Sequence, residues 1–284
     1  MSGTINIKGK NYSIEGLTKD AVGIAQMLAE KARLYDAVAA VRDLSAEDDK
    51  EIQTQIHAQL ILPDFIIRAE YMAFAANSLH LLGARLRHTS LQYQPKLFAT
   101  YVQIFTILPE PKLNPFLRKY LQDKDLVQGL GNQIGRAFLD GVPWRKPSGP
   151  GHICTLLMNM LIWCDPSLGD DGKACIDTVV REGLFKKTKA LQETRGFENI
   201  DEFQRMEVAR CNGMLSAIEE LPDSLYVTST RQHLLGQLDG CGNLECGEDA
   251  TLTCSRCKGA RYCGRDCQTE AWKEHKLFCF APAF

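Results

Sequence analysis

Seven cysteines and a histidine lie close together near the C-terminal end of the sequence, between residues 241 and 279. Thiolate and imidazole are ligands that Zn²⁺ prefers, and four of them close a structural zinc site in tetrahedral geometry. Eight such ligands can hold two ions with no position left for water, which indicates structural and not catalytic metal. The side chains form four closely spaced pairs, namely Cys241 and Cys246, Cys254 and Cys257, Cys263 and Cys267, and His275 and Cys279.

The spacing alone does not decide which pairs share an ion, because four pairs can be combined in three ways. The stretch from residue 266 onward reads as a helix, on which His275 and Cys279 lie four positions apart and face the same side. The segment has few large apolar residues, so metal binding must supply its stability, about 10 to 16 kcal/mol for each structural site. A disulfide framework is the alternative, but the mixed ligand set and the lack of a secretory signal sequence disfavour it.

The pattern resembles the MYND-type zinc finger, in which two cysteine pairs precede Tyr-Cys-x-x-x-Cys-Gln, a Trp, His-Lys and a closing Cys. The matching residues here are Tyr262, Cys263, Cys267, Gln268, Trp272, His275, Lys276 and Cys279. The first pair departs from the usual Cys-x-x-Cys, because four residues separate Cys241 from Cys246. The resemblance implies an interleaved arrangement of ligands, with Cys241, Cys246, Cys263 and Cys267 on one zinc ion and Cys254, Cys257, His275 and Cys279 on the other.

The same resemblance implies a protein partner. In the family, the positions of Gln268 and Trp272 help to hold a Pro-x-Leu-x-Pro peptide, which is laid along the finger's hairpin as an added strand. The alternative is that Trp272 packs against Tyr262 and Phe278, which is compatible with peptide contact. Residues 111–115 of this chain read Pro-Lys-Leu-Asn-Pro. This match leads to the hypothesis that the loop occupies the finger's own peptide groove, within one chain or between two; the alternative is a proline-bounded loop between helices.

The charge of the chain argues against binding to nucleic acid. The 284 residues are 45% hydrophobic and 24% charged, with a formal net charge of -2. Within residues 241–284, six Lys or Arg residues offset six Asp or Glu residues, which favours a protein or peptide partner. The apolar segment 153–164 is too short to span a bilayer, so no membrane association is expected. With no visible targeting peptide, the protein is expected to be intracellular, in the cytoplasm, the nucleus or both.

The region before the finger is expected to be helical. A short β-hairpin is predicted at residues 4–14, followed by at least seven helices. The predicted fold is therefore mainly α, with a helical domain over residues 1–222, a linker over residues 223–240 and a small two-zinc finger over residues 241–279. Successive helix pairs resemble an armadillo or HEAT-like solenoid, but no residue-level repeat recurs at a fixed period, so a compact bundle remains open.

Signatures of an enzyme are weak in this sequence. Gly129, Gly131 and Gly135 are not preceded by the apolar strand that a dinucleotide site requires. In SET methyltransferases a MYND finger interrupts the SET domain, whereas the helical region here lacks their β-rich texture. We therefore predict a zinc-binding adaptor whose finger recognises a proline-containing peptide; the alternative is an enzyme, for example one related to methyltransferases, with its active site in the helical domain. The other cysteines, expected to be buried and inert, are Cys154, Cys164, Cys175 and Cys211.

Overall fold

The structure is a computed structural model that describes residues 4–7, 10–37, 42–59, 61–164, 175–221 and 225–284. Its elements are β1 (Thr4–Ile7), β2 (Lys10–Ser13), α1 (Ile14–Lys31), α2 (Ala46–Gln59), α3 (Asp64–Arg87), α4 (Pro95–Ile107), α5 (Pro115–Gln122), α6 (Lys124–Val127), α7 (Leu130–Leu139), α8 (Pro150–Trp163), α9 (Thr178–Glu193), α10 (Glu202–Glu220), α11 (Leu225–Gly236), β3 (Leu252–Thr253), β4 (Arg261–Tyr262) and α12 (Arg265–His275). Short 3₁₀ helices occupy Phe197–Asn199 and Lys276–Phe278. The predicted mainly α fold with a small C-terminal finger is confirmed.

Both small sheets are antiparallel hairpins. The strands β1 and β2 pair with Ile5 opposite Tyr12, in the region predicted to form a hairpin, and the turn at residues 8–9 lies outside the described residues. In the finger, β3 and β4 pair with Leu252 opposite Tyr262. Ser13 then begins α1, because its hydroxyl accepts a hydrogen bond from the Gly16 backbone N–H at 3.0 Å and so caps the first turn.

Two helices, α3 and α8, lie at the centre of the helical region. The helix α3 contacts α1, α4, α5, α6 and α7, while α8 contacts α4, α5, α7, α10 and α11. Ten of the fourteen residues of α8 are buried, including Leu157, Leu161 and Trp163, as expected for a strongly apolar helix. Among the described helices, none combines the length and the apolar character needed to cross a membrane. Whether the helices form an armadillo or HEAT-like repeat stays a prediction.

The segment predicted as a linker, residues 223–240, contains a helix in its described part. Residues 223–224 lie outside the described part, and α11 follows directly. Val227 and Arg231, four positions apart, are its buried residues. The Arg231 guanidinium donates to the Ile162 and Leu161 carbonyl oxygens at the end of α8, where helical carbonyls lack intrahelical partners. This capping interaction attaches α11 to α8, which hydrophobic periodicity alone does not reveal.

The finger packs directly on the helical region. Cys254, Cys257, Cys279 and Phe280 belong to the same hydrophobic core as the residues of α3, α5 and α8. Beyond the last cysteine, the Ala283 N–H donates to the carbonyl oxygen of Ala76 in α3 at 2.9 Å. The finger and the helices therefore share one core.

We expect Gly83→Ala to destabilise the protein by roughly 1 to 3 kcal/mol through overpacking. A Cβ atom at Gly83 in α3 would lie 1.7 Å from the Tyr120 hydroxyl oxygen, which donates to the Leu126 carbonyl at 3.0 Å. Gly23→Ala in α1 is the matched control, because a Cβ there meets nothing within 4 Å and alanine favours a helix by roughly 0.5 to 1 kcal/mol. Urea unfolding measures both changes. Equal effects of the two substitutions would contradict the packing of α3 on α5.

Glu70 makes the stability depend on pH in a direction that can be tested. Burial in α3 raises the pKa of its carboxyl from 4.5 to about 7, against a smaller opposing effect of Gln59. Because the folded-state pKa is raised, the protonated side chain's contribution to stability is full below about pH 4.5 and is lost as the pH rises through about 7. The wild type should therefore lose this stability between pH 5 and pH 8, whereas Glu70→Gln should not. The unfolding free energy of Glu70→Gln minus that of the wild type should rise by about 2 kcal/mol over this range. Denaturant titrations at both pH values measure this, and a difference independent of pH would contradict it.

Candidate zinc centres and their surroundings

A short hairpin and a helix position several of the predicted ligands. Cys254 follows β3, Cys263 follows β4, and α12 contains Cys267 and His275. Between the strands, the chain turns at Lys258, whose φ of 57° lies in the left-handed region and whose N–H donates to the Cys254 carbonyl oxygen at 3.0 Å. The tight turn returns β4 alongside β3 and brings ligands from both strands to the side of α12.

Backbone hydrogen bonds fold the chain between Cys241 and Cys246, the ligand pair with the unusual spacing. The Cys241 N–H donates to the Glu248 carbonyl oxygen at 2.9 Å, and the Cys246 N–H donates to the Asn243 carbonyl oxygen at 3.0 Å. The Asn243 N–H in turn points to the Cys241 sulfur at 3.5 Å. The four intervening residues therefore form a folded knuckle, and the wider spacing does not separate the two sulfurs.

The eight side chains lie in two groups, and within each group the candidate ligand atoms are all within 4.8 Å of one another. One group is half-buried and consists of Cys241, Cys246, Cys263 and Cys267. The other is more deeply buried and consists of Cys254, Cys257, His275 and Cys279. Of the three possible combinations of pairs, the structure has the interleaved one, which the family resemblance implies.

The distances within the groups fit tetrahedral zinc. With Zn–S bonds of about 2.3 Å, two sulfurs on one ion are separated by about 3.8 Å, whereas a disulfide requires about 2.0 Å. The Cys246 and Cys263 sulfurs are 3.6 Å apart, and the Cys254 and Cys279 sulfurs are 3.7 Å apart. In the second group, the Cys257 sulfur lies 3.6 Å from Nε2 of His275. The donor set and its spacing therefore suit zinc.

Backbone N–H groups stabilise negative charge on the sulfurs. The Cys241 sulfur accepts from the Cys263 N–H at 3.4 Å, and the Cys257 sulfur accepts from the Gly259 N–H at 3.4 Å. A hydrogen bond from the Cys279 thiol lowers the pKa of Cys257, which favours its thiolate form. Four thiolates around Zn²⁺ leave a formal charge of -2, and three thiolates with a neutral histidine leave -1. Both groups have four protein donors, as closed structural sites do.

These features define a small two-zinc module built from a hairpin and a helix. Residues 240–279 match the family model of the MYND finger. The C-terminal module is a MYND-type zinc finger that binds zinc, and a MYND finger is a protein–protein interaction domain.

The chain is similar to several curated proteins. It is 27% identical to Protein CBFA2T2 of Xenopus laevis over 158 residues, which are 55% of this chain and 21% of that protein. It is 35% identical to Protein CBFA2T2 of Homo sapiens over 95 residues, which are 33% of this chain and 14% of that protein. It is also 36% identical to the MYND-type zinc finger protein samB of Emericella nidulans over 52 residues, which are 16% of this chain and 9% of that protein.

The extent of these matches differs between the relatives. The chain spans about a fifth or less of the length of the curated relatives named here. Because the finger model covers only residues 240–279, the 158-residue similarity to the Xenopus protein must include part of the helical region. No solved structure matches the chain.

The two residues predicted to bind a peptide lie on α12, four positions apart. Trp272 is 40% exposed and Gln268 is half-buried. The described ring contact of Trp272 is with His275, at 5.6 Å between centroids, and not with Tyr262 or Phe278 as the packing alternative supposed. Much of the indole surface therefore remains open to a partner.

The loop at residues 111–115 contacts the finger, but not as an added strand. The Leu113 and Asn114 N–H groups both donate to the Glu110 carbonyl oxygen at 2.8 Å, which folds the segment into a turn. The Asn114 side chain caps α5, and Pro115 lies so close to Gly259 that a Cβ there would be 2.4 Å from the proline. Strand addition needs an extended peptide, so the structure does not place this loop in the finger's peptide groove.

The remaining cysteines lie outside both groups. Cys154, Cys164 and Cys211 are buried, and Cys175 is half-buried. A hydrogen bond from the Cys154 thiol to Cys211, together with burial, raises the pKa of Cys154 well above that of a free thiol. This thiol therefore stays protonated at neutral pH, which suits the inert role expected for it.

Double substitutions test how the pairs share zinc. Cys246→Ser with Cys263→Ser alters two residues of one group, so we expect about one equivalent of zinc to remain. Cys246→Ser with Cys254→Ser alters both groups and should leave less than one. If instead the first two pairs along the chain shared one ion and the last two pairs the other, the variant with Cys246 and Cys254 replaced would retain more zinc than the variant with Cys246 and Cys263 replaced. Metal analysis of the purified variants decides between them, and equal zinc in the two double variants would contradict the interleaved arrangement.

Proposed function

We propose that this protein is a non-enzymatic adaptor whose MYND finger binds a proline-containing peptide of a partner protein. The peptide has the form Pro-x-Leu-x-Pro and contacts Gln268 and Trp272. The observation that carries the proposal is the exposure of Trp272 on a module with little core of its own. Exposed tryptophans that meet a partner often dominate the binding energy of an interface.

We assign a structural role to both zinc ions. The proposed ligands are the members of the two groups, Cys241, Cys246, Cys263 and Cys267 in one and Cys254, Cys257, His275 and Cys279 in the other. Four protein donors complete a tetrahedral zinc site and leave no position for a substrate or a reactive water. The metal then fixes the hairpin against α12 and presents the surface that binds the peptide.

The finger's hairpin offers one edge for an added strand. Within the described residues, β3 pairs with β4 alone, and both residues of β3 are exposed. The far side of β4 is occupied, because the Gly242 N–H donates to the Arg261 carbonyl oxygen at 2.7 Å. An extended peptide can therefore bond to the β3 backbone, while its alternate side chains determine specificity.

An adaptor role follows from the way the finger is attached. The shared core fixes the finger relative to α3 and α5, so a peptide bound to the finger takes up a defined position beside the helices. Residues 1–222 would form the scaffold and residues 241–279 the recognition module, joined by a segment that contains α11. The seven reduced thiols of the finger suit the cytoplasm or the nucleus, where disulfides are rare.

The alternative of an enzyme finds its best candidate site in a cavity of about 480 Å³ in the helical region, which is lined by His152, Thr155, Asn159 and Phe203 among others. Burial lowers the pKa of His152. The Gly151 N–H donates to Gln204 Oε1 at 2.7 Å, so the amide nitrogen of Gln204 faces Nδ1 of His152 at 2.5 Å. Nδ1 of His152 then accepts a hydrogen bond from the Gln204 amide, and Nε2 carries the ring proton. Because the only nitrogen with a free lone pair is already occupied, His152 is poorly placed to act as a base. This geometry favours the adaptor.

A labelled Pro-x-Leu-x-Pro peptide tests the proposal by fluorescence anisotropy. Trp272→Ala should weaken binding at least tenfold, or about 1.4 kcal/mol, because the peptide would cover the exposed indole and large aromatic side chains often dominate binding energy. Cys267→Ser should weaken binding as well, through loss of a zinc ligand. Unchanged zinc content of Trp272→Ala separates these two causes.

Trp144→Ala is the matched control, because Trp144 is 44% exposed but lies in the helical region, beside Phe138. Its binding should equal that of the wild type. A peptide in which alanine replaces the leucine should bind weakly to every variant. Wild-type binding by Trp272→Ala, or an equal loss in Trp144→Ala, would contradict the proposed site.

A further inference from the structure

A cleft of about 540 Å³ lies at the junction between the finger and the helical region. On one side it is lined by residues of α3, α5 and the loop at residues 111–115, and on the other by residues around Gly240 and Gly259 of the finger. Pro115 and Gly259 touch where the two sides meet. Gln268 and Trp272 are not among the residues that line it, although His275, whose ring contacts Trp272, is one of them.

Basic side chains outnumber acidic ones in the lining of the cleft. The described lining includes four basic side chains, Arg68, Lys112, Arg118 and Arg261, and one carboxylate, that of Asp239. Asp239 forms an ion pair with Arg261 at 2.6 Å. In the described part of the chain, no ion pair involves Arg68, Lys112 or Arg118. Burial, and secondarily the charge of Arg261, lowers the pKa of Arg118. The cleft therefore holds cations with no acidic partner.

The hydrogen bonds of these cations are incomplete. Arg68 reaches the Leu113 carbonyl oxygen only at 3.5 Å and stacks over the Phe278 ring at 4.8 Å, and its Nε is buried without a hydrogen-bond partner among the described residues. Arg118 bonds to the Pro111 carbonyl oxygen at 2.7 Å, a neutral acceptor. A carboxylate in the cleft would give the remaining guanidinium N–H groups of Arg68 and Arg118 strong charge-assisted hydrogen bonds.

The zinc centres beside the cleft do not supply the missing acceptors. Cys241 and Cys257 line the cleft, but each sulfur already accepts backbone N–H bonds and belongs to one of the metal-binding groups. Their negative charge moderates the local potential without occupying the free donors of Arg68 and Arg118. An anionic ligand in the cleft would supply acceptors for those donors.

Exposed leucines surround the same cleft. Leu244 is 90% exposed and Leu113 is 50% exposed, and Leu235 of α11 also lines the opening. Large apolar side chains beside unpaired cations match a ligand that has both carboxylates and apolar side chains. Nucleic acid offers phosphates and stacking bases but no aliphatic side chains for such a rim, so a peptide fits better.

We propose that this cleft binds an acidic, leucine-containing peptide segment of a partner protein, with its carboxylates on Arg68, Lys112 and Arg118 and its apolar side chains on Leu113 and Leu244. The site combines side chains of the helical region and of the finger. The protein then has two separate peptide sites, and the acidic one exists only when the finger is docked.

The experiment uses the zinc-loaded 284-residue chain and a fluorescein-labelled peptide of alternating glutamate and leucine, followed by anisotropy. We expect binding that weakens as salt is added, because exposed charges are screened. Lys112→Gln and Arg118→Gln should each weaken binding at least tenfold. Lys112 is exposed, so its substitution tests the site without a risk to folding.

Two controls separate this site from other causes. Lys189→Gln removes the same charge from an exposed position of α9 that does not line the cleft, and it should bind like the wild type. Trp272→Ala should also bind the acidic peptide normally, which distinguishes this site from the proline-peptide site. Peptide binding should shift the Nε–H resonance of Arg68.

Several results would overturn the proposal. These are the absence of binding by the wild type, unchanged binding by Lys112→Gln, and equal weakening by Lys189→Gln. Tighter binding of a single-stranded oligonucleotide that displaces the peptide would assign the cleft to nucleic acid instead. A loss of acidic-peptide binding in Trp272→Ala would show that the two peptides share one site.

Discussion

The closure of thiolate groups around zinc is the interaction on which the C-terminal finger depends. The finger has few large apolar residues, so its hairpin and α12 are held together by metal coordination and by N–H bonds to sulfur. The more buried group does more than stabilise the finger, because Cys254, Cys257 and Cys279 also belong to the main hydrophobic core. Metal coordination and apolar packing therefore act on the same residues, and neither the finger nor its docking is independent of zinc.

The docked arrangement changes what the finger can do. An isolated finger would offer a partner only its own edge strand and exposed indole. Held against α3 and α5, it also forms the second side of a cleft whose other side is helical. The loop at residues 111–115 has a structural part in this arrangement: Asn114 caps α5 and Pro115 packs against Gly259. The sequence of the loop resembles a peptide ligand, but the loop is folded into a turn and does not have the extended conformation that strand addition requires.

The metal ligands could be predicted from the sequence because their type and spacing express coordination chemistry directly. The helical character of the rest could be predicted because apolar periodicity is a local property. What could not be predicted depends on distant partners. Helix α11 is attached through two buried residues and the carbonyl groups of α8, and the basic cleft joins Arg68, Arg118 and Arg261 from separate parts of the chain. The pattern of a single sequence contains no signal for contacts between residues that are far apart in the chain.

On either side of the last cysteine the chain packs on the helices, with Leu277 buried against α1 and α3 and Phe280 buried in the main hydrophobic core. A newly made chain that has not yet acquired metal leaves these aliphatic and aromatic faces uncovered on α1 and α3. Such surfaces are what chaperones and proteases recognise, so we expect metal-poor copies to be removed faster than loaded ones. Cellular abundance of the protein would thereby depend on the supply of zinc at the time of synthesis.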